Sequence, residues 1–315
     1  MNHYPSNVKE KLNSIILSMA EHHWLFSKNP GHDFTRQHLG KLSFYDTMRL
    51  IISMGKGSTN DEIMDYFDLD PDLIPSQSAF CQRRRQISLS AFEYLFSEFS
   101  SSFPSTTDKF KDHCILACDG CHVVYATNSD IIEDYNKPRL IDYKGYNHMH
   151  LNGFVDVISK AFLDVVIQPG QQPDEREALH SMLDHFTPDD PQKYIITADR
   201  GYESYDLLFH CELKNLGYVF RVKSPSSPKS ILSYYASEFP DDLEEFDVTI
   251  KRFFTDKATN IMKSQSDVYR YINPSKNTPH FYELLRKNHS HLYFLQFRVV
   301  KIKTAGISKT GNLFP

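Results

Sequence analysis

Apolar residues recur at helical spacing in roughly the first hundred residues and in short continuous runs after that. Residues 11–26 ("KLNSIILSMAEHHWLF") and 42–55 ("LSFYDTMRLIISMG") follow the helical period, and the second stretch stops at a glycine. Ser, Thr and Asn before an acidic turn, then a proline-marked break, predict one short helix near residue 60 and another from Ser76 or Ser78. We therefore predict a helical region over residues 1–105.

Strand-like runs begin after a polar, proline-containing stretch at residues 101–110. Runs at 113–120, 148–159 and 162–170 predict three strands, and the short "SKA" between the last two favours an antiparallel hairpin. Helix, strand, helix and strand follow at 174–186, 193–199, 205–217 and 218–223. The order β-β-β-α-β-α-β predicts an α/β fold, with a mixed sheet flanked by helices over residues 106–223. Residues 224–303 are β-rich, and 304–315 show no periodicity.

Two of the predicted strands end on an aspartate. "CILACDG" delivers Asp119, and "YIITADRGYES" delivers Asp199 after a run that is typical of a buried strand. Carboxyl ends of strands in α/β proteins open into ligand-binding crevices, so both acids are candidates for one metal site. Two hard oxygen donors at one sheet edge suit Mg²⁺ or Mn²⁺ in phosphoryl transfer. The alternative for Asp199 is that it caps the helix beginning near Ser204.

The sequence closely resembles the DDE transposases of bacterial insertion sequences, in particular the family founded on insertion sequence four. The resemblance extends over nearly the whole chain, from "NPGHDFTRQHLGKLSF" through "SAFCQRRRQI", "ACDG", "DVISKAFLDVVIQP" and "ITADRGYES" to "FLQFRVVKIK". The Asp-Arg-Gly-Tyr run is its most specific part.

The resemblance implies a ribonuclease H-like core in which Asp119 and Asp199 are the first two acids of a metal-binding triad. It implies a helical N-terminal region that binds the element's inverted repeats, with a β-rich insertion over residues 224–303. It also implies a divalent ion, Mg²⁺ or Mn²⁺, as cofactor. The expected partners are double-stranded DNA, both inverted repeats and target, and a second copy of the chain on that DNA.

The third acid of this family is the point at which the sequence departs from the resemblance. The glutamate should lie in a Tyr-x2-Arg-x3-Glu-x6-Lys signature on a later helix, which the sequence lacks. "FYELLRK" has Tyr282, Glu283 and Arg286 at the wrong spacing. We therefore expect a truncated or frameshifted transposase whose catalysis is nearly abolished, or an inactive DNA-binding remnant that inhibits the full-length enzyme. Asp174, Glu175 and Glu177 begin a helix, where their charge suits the helix dipole.

Candidate DNA-contacting residues lie in two places. Arg83, Arg84 and Arg85 fall on the second helix of a helix-turn-helix-like pair, although a solvated basic surface explains them equally well. Arg200 and Tyr202 follow Asp199 and suit phosphate contact and base stacking, or alternatively an ion pair and core packing. His148 and His150 share one side of a strand, where a structural role competes with DNA or metal contact.

A cysteine pattern offers a rival hypothesis. Cys114, Cys118 and Cys121 have the C-x3-C-x2-C spacing of an iron–sulfur ligand set, which His113 and His122 could extend towards zinc. Cluster ligands usually lie on a loop that wraps the metal, whereas this pattern lies on a predicted strand. Buried thiols acting as small hydrophobes are the competing interpretation.

Composition narrows the class of protein further. The 315 residues are 40% hydrophobic with a net charge of −5, so the chain has enough apolar residues for a core and is not a polycation. Five cysteines without a secretory pattern predict reduced thiols, and no apolar run approaches the length of a membrane span. We expect a bacterial cytoplasmic protein, associated with the nucleoid when bound to DNA, with no membrane partner.

Overall fold

The architecture is taken from a computed structural model. It describes residues 4–35, 41–102, 109–137, 144–240, 244–257, 259–273 and 278–302, with the side chains of residues 4–6 excepted. The predicted irregular end at 304–315 and the predicted boundary at 105–106 lie outside the described residues. The chain divides into two compact units, residues 1–104 and 105–315.

The first unit is helical, as the periodicity predicts. Serines begin three of its helices, because the hydroxyls of Ser43, Ser58 and Ser76 each accept a hydrogen bond from a backbone N–H of the first turn. The apolar stripes pack into a core that includes Ile16, Met48 and Ala91. The helices are α1 (Tyr4–Glu21), α2 (Phe44–Ser53), α3 (Thr59–Tyr66), α4 (Gln77–Gln86) and α5 (Leu89–Ser101).

The second unit begins with a six-stranded mixed sheet. Its order is β4-β3-β1-β5-β6, with the two-residue β2 beside β4 at the same edge of β3. β1 pairs antiparallel with β3 and parallel with β5, and β5 pairs parallel with β6. The strands are β1 (Cys114–Tyr125), β2 (Tyr135–Asn136), β3 (Tyr146–Asp156), β4 (Phe162–Pro169), β5 (Tyr194–Ala198) and β6 (Gly217–Phe220).

Two helices, α6 (Glu175–His185) and α7 (Tyr205–Leu213), pack on one face of this sheet. Leu116, Cys118 and Ile196 point into the core that these helices close, because alternate residues of a strand share a face. Residues of the opposite face are less covered: Ile195 is half-buried and Val219 is exposed. The prediction that β5 is buried on both faces is therefore confirmed only for the face that carries Ile196.

The hairpin and the helix ends test the finer predictions. β3 and β4 form the predicted antiparallel hairpin, whose turn includes Lys160 with positive φ. α7 ends at Leu213, four residues before the predicted glycine, because Asn215 adopts the left-handed conformation (φ 54°) and Gly217 already belongs to β6.

A smaller sheet, β8-β7-β9, forms the rest of the second unit. β7 (Phe246–Thr255) pairs antiparallel with β9 (Leu292–Lys301) and parallel with β8 (Tyr269–Tyr271). Two helices that the β-rich prediction missed lie in the same stretch, α8 (Asn260–Ser264) and α9 (Pro279–Lys287). α7 connects the two cores of the unit: Leu207 and Cys211 pack under the first sheet, and Phe209 packs with the second.

Candidate active site

The parallel pairing of β1 and β5 brings the two predicted metal ligands to neighbouring positions, at the point where β5 ends. The prediction that the first strand ends on Asp119 is wrong, because β1 continues to Tyr125 in its pairing with β3. The register ends at Cys118 opposite Ala198, and the next residues along the two strands are Asp119 and Asp199. Both aspartates are exposed. Because paired strands lie about 4.8 Å apart, the two carboxylates start from neighbouring backbone positions.

Local hydrogen bonds orient each aspartate. Asp119 Oδ1 accepts from the Gly120 N–H at 2.9 Å, and Asp199 Oδ1 accepts from the Gly201 N–H at 2.7 Å. Helix α7 is capped by Ser204, whose hydroxyl accepts from the Asp206 N–H. The alternative that Asp199 caps this helix is therefore wrong.

The loop after Asp199 is tied to the rest of the unit. Arg176 Nε donates to the Gly201 carbonyl at 3.1 Å, and Lys223 Nζ donates to the Arg200 carbonyl at 3.3 Å. The buried carboxylate of Glu203 receives Lys223 Nζ at 2.9 Å and the Lys223 N–H at 2.7 Å. These bonds hold the segment that carries Asp199.

A third carboxylate, that of Glu175 at the N-terminus of α6, lies close to Asp199. A Cβ built on Gly201 would lie 3.0 Å from Asp199 Oδ1 and 3.1 Å from Glu175 Oε2, so both carboxylates border the same small space. The capping of α6 is done by Asp174, whose Oδ1 accepts from the N–H groups of Arg176 and Glu177. The sequence pattern assigns Glu175 to the helix dipole and misses its position beside Asp199. Residues that only folding brings together have no characteristic spacing in the sequence.

Buried polar atoms line the same region. His150 of β3 is 97% buried, and its Nε2 lies 3.4 Å from Glu175 Oε1. Within the described part of the chain, neither the ring nitrogens of His150 nor the buried Oδ1 of Asn152 have a hydrogen-bond partner. A side chain at Gly120 would overlap His150, so glycine is required there. His148 is likewise buried and contacts Asn136, and burial with the neighbouring His148 and His150 lowers the pKa of His122.

The donor set at this edge suits Mg²⁺ or Mn²⁺. Carboxylate oxygens are the hard ligands that these ions prefer. Among the described residues, no protein group donates to the second oxygen of Asp119 or Asp199, and both side chains face solvent. The residues therefore fit a divalent cation that also retains water ligands.

The predicted DNA contacts of the first unit need correction. Arg83 is buried, lies over the Phe34 ring at 5.2 Å and donates to Gln86 Oε1, so it is a packing residue. Arg84 and Arg85 are exposed. Residues 67–76 separate α3 from α4, so the predicted tight break is a ten-residue connection.

The two residues predicted to contact DNA after Asp199, Arg200 and Tyr202, also differ in exposure. Arg200 is exposed at the site. Tyr202 is completely buried in the core under the sheet, and burial raises its pKa. The structure thus gives Tyr202 the packing role, and the predicted DNA contact of this residue is wrong.

The iron–sulfur hypothesis is not supported. Cys114 and Cys118 lie four residues apart on the continuous strand β1, roughly 13 Å along its axis, and both are buried, whereas Cys121 is exposed. Burial raises the pKa of the Cys118 thiol to about 12, which disfavours the thiolate that a cluster needs. Among the described parts of the chain no disulfide joins any of the five cysteines.

Comparisons with known proteins identify a family for this chain. A search of curated proteins found no match. Within the described residues, no helix is long and apolar enough to cross a membrane. The model of the family described as Transposase DDE domain matches residues 110–291, which hold both aspartates and Glu175. The match extends over more than half of the chain, and the chain therefore belongs to the family of transposases with a DDE domain.

Proposed function

We propose that the protein acts in DNA transposition as a member of the insertion-sequence-four family, with a ribonuclease H-like core that acts on the ends of its element. The observation that carries the proposal is the parallel β1–β5 pairing, because Asp119 and Asp199 are the residues that follow its last pair, Cys118 and Ala198. We expect such a protein at the nucleoid of a bacterial cell.

Asp119 and Asp199 are the proposed ligands of Mg²⁺ or Mn²⁺. A divalent ion held there supplies the Lewis acidity that assists attack of water or a 3′-hydroxyl on a phosphodiester. Within the chain, the Gly120 and Gly201 N–H groups orient the two carboxylates. Arg200, exposed beside Asp199, is placed to contact a DNA phosphate.

Glu175 is the proposed third carboxylate of this polypeptide. Its Oε2 borders the same space as Asp199 Oδ1, and its other oxygen lies near the buried His150. Because α6 is capped by Asp174, Glu175 has no structural duty at the helix end that would compete with metal binding.

DNA binding is the second part of the proposal. Arg84 and Arg85 remain as exposed cations on α4, suited to phosphates of the inverted repeats, and a homodimer assembled on DNA would bring two element ends together. Phosphate contacts position a protein on DNA without selecting the sequence, so these arginines would contribute affinity more than specificity.

A second candidate function is DNA binding with impaired cleavage. It is favoured by the exposed Arg84 and Arg85 of α4, because contacts from these cations to DNA phosphates do not require the carboxylates. In this case the protein would occupy the element's ends and inhibit transposition there.

The test uses DNA that carries the coding sequence with its flanks, and coding DNA of equal length as the competitor. Protein is added with Mn²⁺, and binding and nicks are mapped along both strands. We expect preferential binding of the flanks and nicks at the element's ends that disappear in Asp119→Asn but persist in the exposed control Asp189→Asn. Binding without nicks favours the second candidate function. Equal binding of both DNAs, without nicks, contradicts both.

A further inference from the structure

The second sheet, β8-β7-β9, has one buried face and one exposed face. Phe254 of β7 and Leu295 of β9 point into the core beneath the sheet and are buried. Their neighbours Phe253 and Phe294 point the opposite way, because successive residues of a strand alternate between the two faces. These two side chains remain 38% and 48% exposed. The outer face of the sheet therefore presents aromatic rings to solvent.

Three aromatic side chains stand in one row across this outer face. Phe253 pairs with Phe294 in the antiparallel register and with the half-buried Tyr269 in the parallel one. The ring centroids of Phe253 and Phe294 are 5.2 Å apart, and those of Phe253 and Tyr269 are 6.1 Å apart. We call Tyr269, Phe253 and Phe294 the aromatic row. Aromatic rings on the open face of a small sheet form a surface on which unpaired bases stack.

Polar side chains lie beside the aromatic row on the same face. Lys251 and Gln296 form the adjacent cross-strand pair, and both are exposed. Within the described parts of the chain, Lys251 forms no ion pair, whereas Arg298, one pair further along, is engaged with Asp247. Lys251 is two residues from Phe253, about 6.6 Å along the strand, so its long side chain is placed for a phosphate beside a stacked base.

This combination of groups favours a single-stranded nucleic acid as the occupant. An uncompensated ammonium, an amide and aromatic faces complement the phosphate, the base edge and the base plane of a nucleotide. The bases must be unpaired, because the bases of a duplex already stack on one another. Transposases act on DNA, and the family match of this chain includes all three strands that form the face up to His291.

We propose that the aromatic row, with Lys251 and Gln296, binds single-stranded DNA by stacking two or three unpaired bases. Lys251 contacts a backbone phosphate, and Gln296 forms hydrogen bonds with the edge of a stacked base. Binding there requires neither the carboxylates nor a divalent ion, so the proposal does not depend on the proposed function.

The first test measures binding of a short fluorescein-labelled oligothymidylate to the full chain by anisotropy, with EDTA present. We expect Phe253→Leu and Phe294→Leu each to weaken binding roughly tenfold, the effect of losing one base stack. Phe162→Leu, at an exposed phenylalanine of β4, should leave the affinity unchanged. Phe253→Trp should retain or strengthen binding, because the indole offers a larger face. Wild-type affinity in both leucine variants, or loss of binding in Phe253→Trp, would overturn the proposal.

The second test examines the phosphate contact. Lys251→Gln should reduce the slope of log affinity against log salt concentration by about 0.7, the value of one phosphate contact on a single strand. Lys160→Gln, at an exposed lysine of the β3–β4 turn, should keep the wild-type slope. Equal slopes in Lys251→Gln and wild type would remove Lys251 from the site.

Photo-crosslinking locates the bound strand directly. An oligothymidylate that carries 5-iododeoxyuridine is irradiated in complex with the full chain, and the crosslinked peptides are identified by mass spectrometry. We expect crosslinks to the aromatic row. Crosslinks confined to other peptides overturn the proposal. Leucine variants that change the oligomeric state of the protein and leave oligothymidylate binding intact would make the row a contact between copies of the chain, which overturns it as well.

Discussion

Glu175 Oε1 lies 3.4 Å from His150 Nε2, where the N-terminus of α6 meets β3. The other carboxylate oxygen of Glu175 borders the same space as Asp199 Oδ1, so this residue does not serve the N–H groups of its own helix. Asp174 satisfies those N–H groups instead. The acids at the start of α6 therefore have different roles: Asp174 caps the helix, and Glu175 borders Asp199.

Replacing Glu175 tests whether this residue contributes to metal binding and not to helix capping. We expect Glu175→Gln to weaken Mn²⁺ binding by roughly tenfold, since a carboxylate that borders the metal site loses its charge. The free energy of unfolding should change little because the cap is untouched. Glu177→Gln, an exposed change in the same turn, should affect neither quantity. Equal Mn²⁺ affinity in Glu175→Gln and wild type would remove Glu175 from the site.

Gly201 provides a steric test of the same space. A methyl group there would lie 3.0 Å from Asp199 Oδ1 and 3.1 Å from Glu175 Oε2, closer than carbon and oxygen normally approach. We expect Gly201→Ala to displace one carboxylate and to lower Mn²⁺ affinity several-fold. Gly31→Ala, where a Cβ meets nothing within 4 Å, is the control. Unchanged affinity in both variants would show that the two carboxylates do not share an ion.

Lys223 supports the loop that carries Asp199. Its ammonium neutralises the buried carboxylate of Glu203. We expect Lys223→Met to cost about 1–3 kcal/mol of unfolding free energy in urea denaturation, because the buried charge loses its partner. Lys287→Met removes an exposed pair with Glu283 and should cost at most about 0.5 kcal/mol. Similar losses in both variants would contradict a supporting role for Lys223.

Two largely buried histidines, His180 on α6 and His210 on α7, make stability depend on pH. His180 and His210 have folded-state pKa values of about 4 and about 2, below the ordinary 6.5. The unfolded chain therefore binds more protons below pH 6.5, and the folded state loses stability as the pH falls from 6.5 towards 4. Each histidine contributes at most about 1.4 kcal/mol per pH unit.

Urea denaturation at a series of pH values measures this dependence. We expect a shallower pH slope in His210→Gln than in wild type, while His185→Gln should retain the wild-type slope. If all three slopes coincide between pH 6.5 and 4, the buried histidines do not remain neutral in the folded protein.

How far the sequence predicts the site depends on how each residue reaches it. Asp119 and Asp199 end apolar runs, so local pattern is enough to select both residues. Only Asp199 follows the end of its strand, since β1 continues to Tyr125, and the register of the β1–β5 pair is what makes the two positions neighbours. Glu175 arrives from a helix, and only the packing of α6 on the sheet brings it there. His180, His210 and His280 stack on one another from three helices, α6, α7 and α9, and the β-rich prediction omitted α9.

The errors have related physical causes. Arg83 and Tyr202 carry chemistry typical of DNA contacts, but burial depends on which side of an element faces the core. Three adjacent arginines must point in different directions around a helix, and the structure buries one of them. The cysteine spacing imitates a cluster motif, yet its meaning depends on whether the segment is a strand or a loop.

The central claim is that Asp119 and Asp199 together hold a divalent ion. The most direct measurement is a titration of the full chain with Mn²⁺, in which electron paramagnetic resonance reports the free ion, repeated with Asp119→Asn, Asp199→Asn and the exposed control Asp189→Asn. We predict Mn²⁺ binding by wild type and the control, and loss of that binding in each of the other two variants. Wild-type affinity in either Asp119→Asn or Asp199→Asn would contradict the assignment of the site.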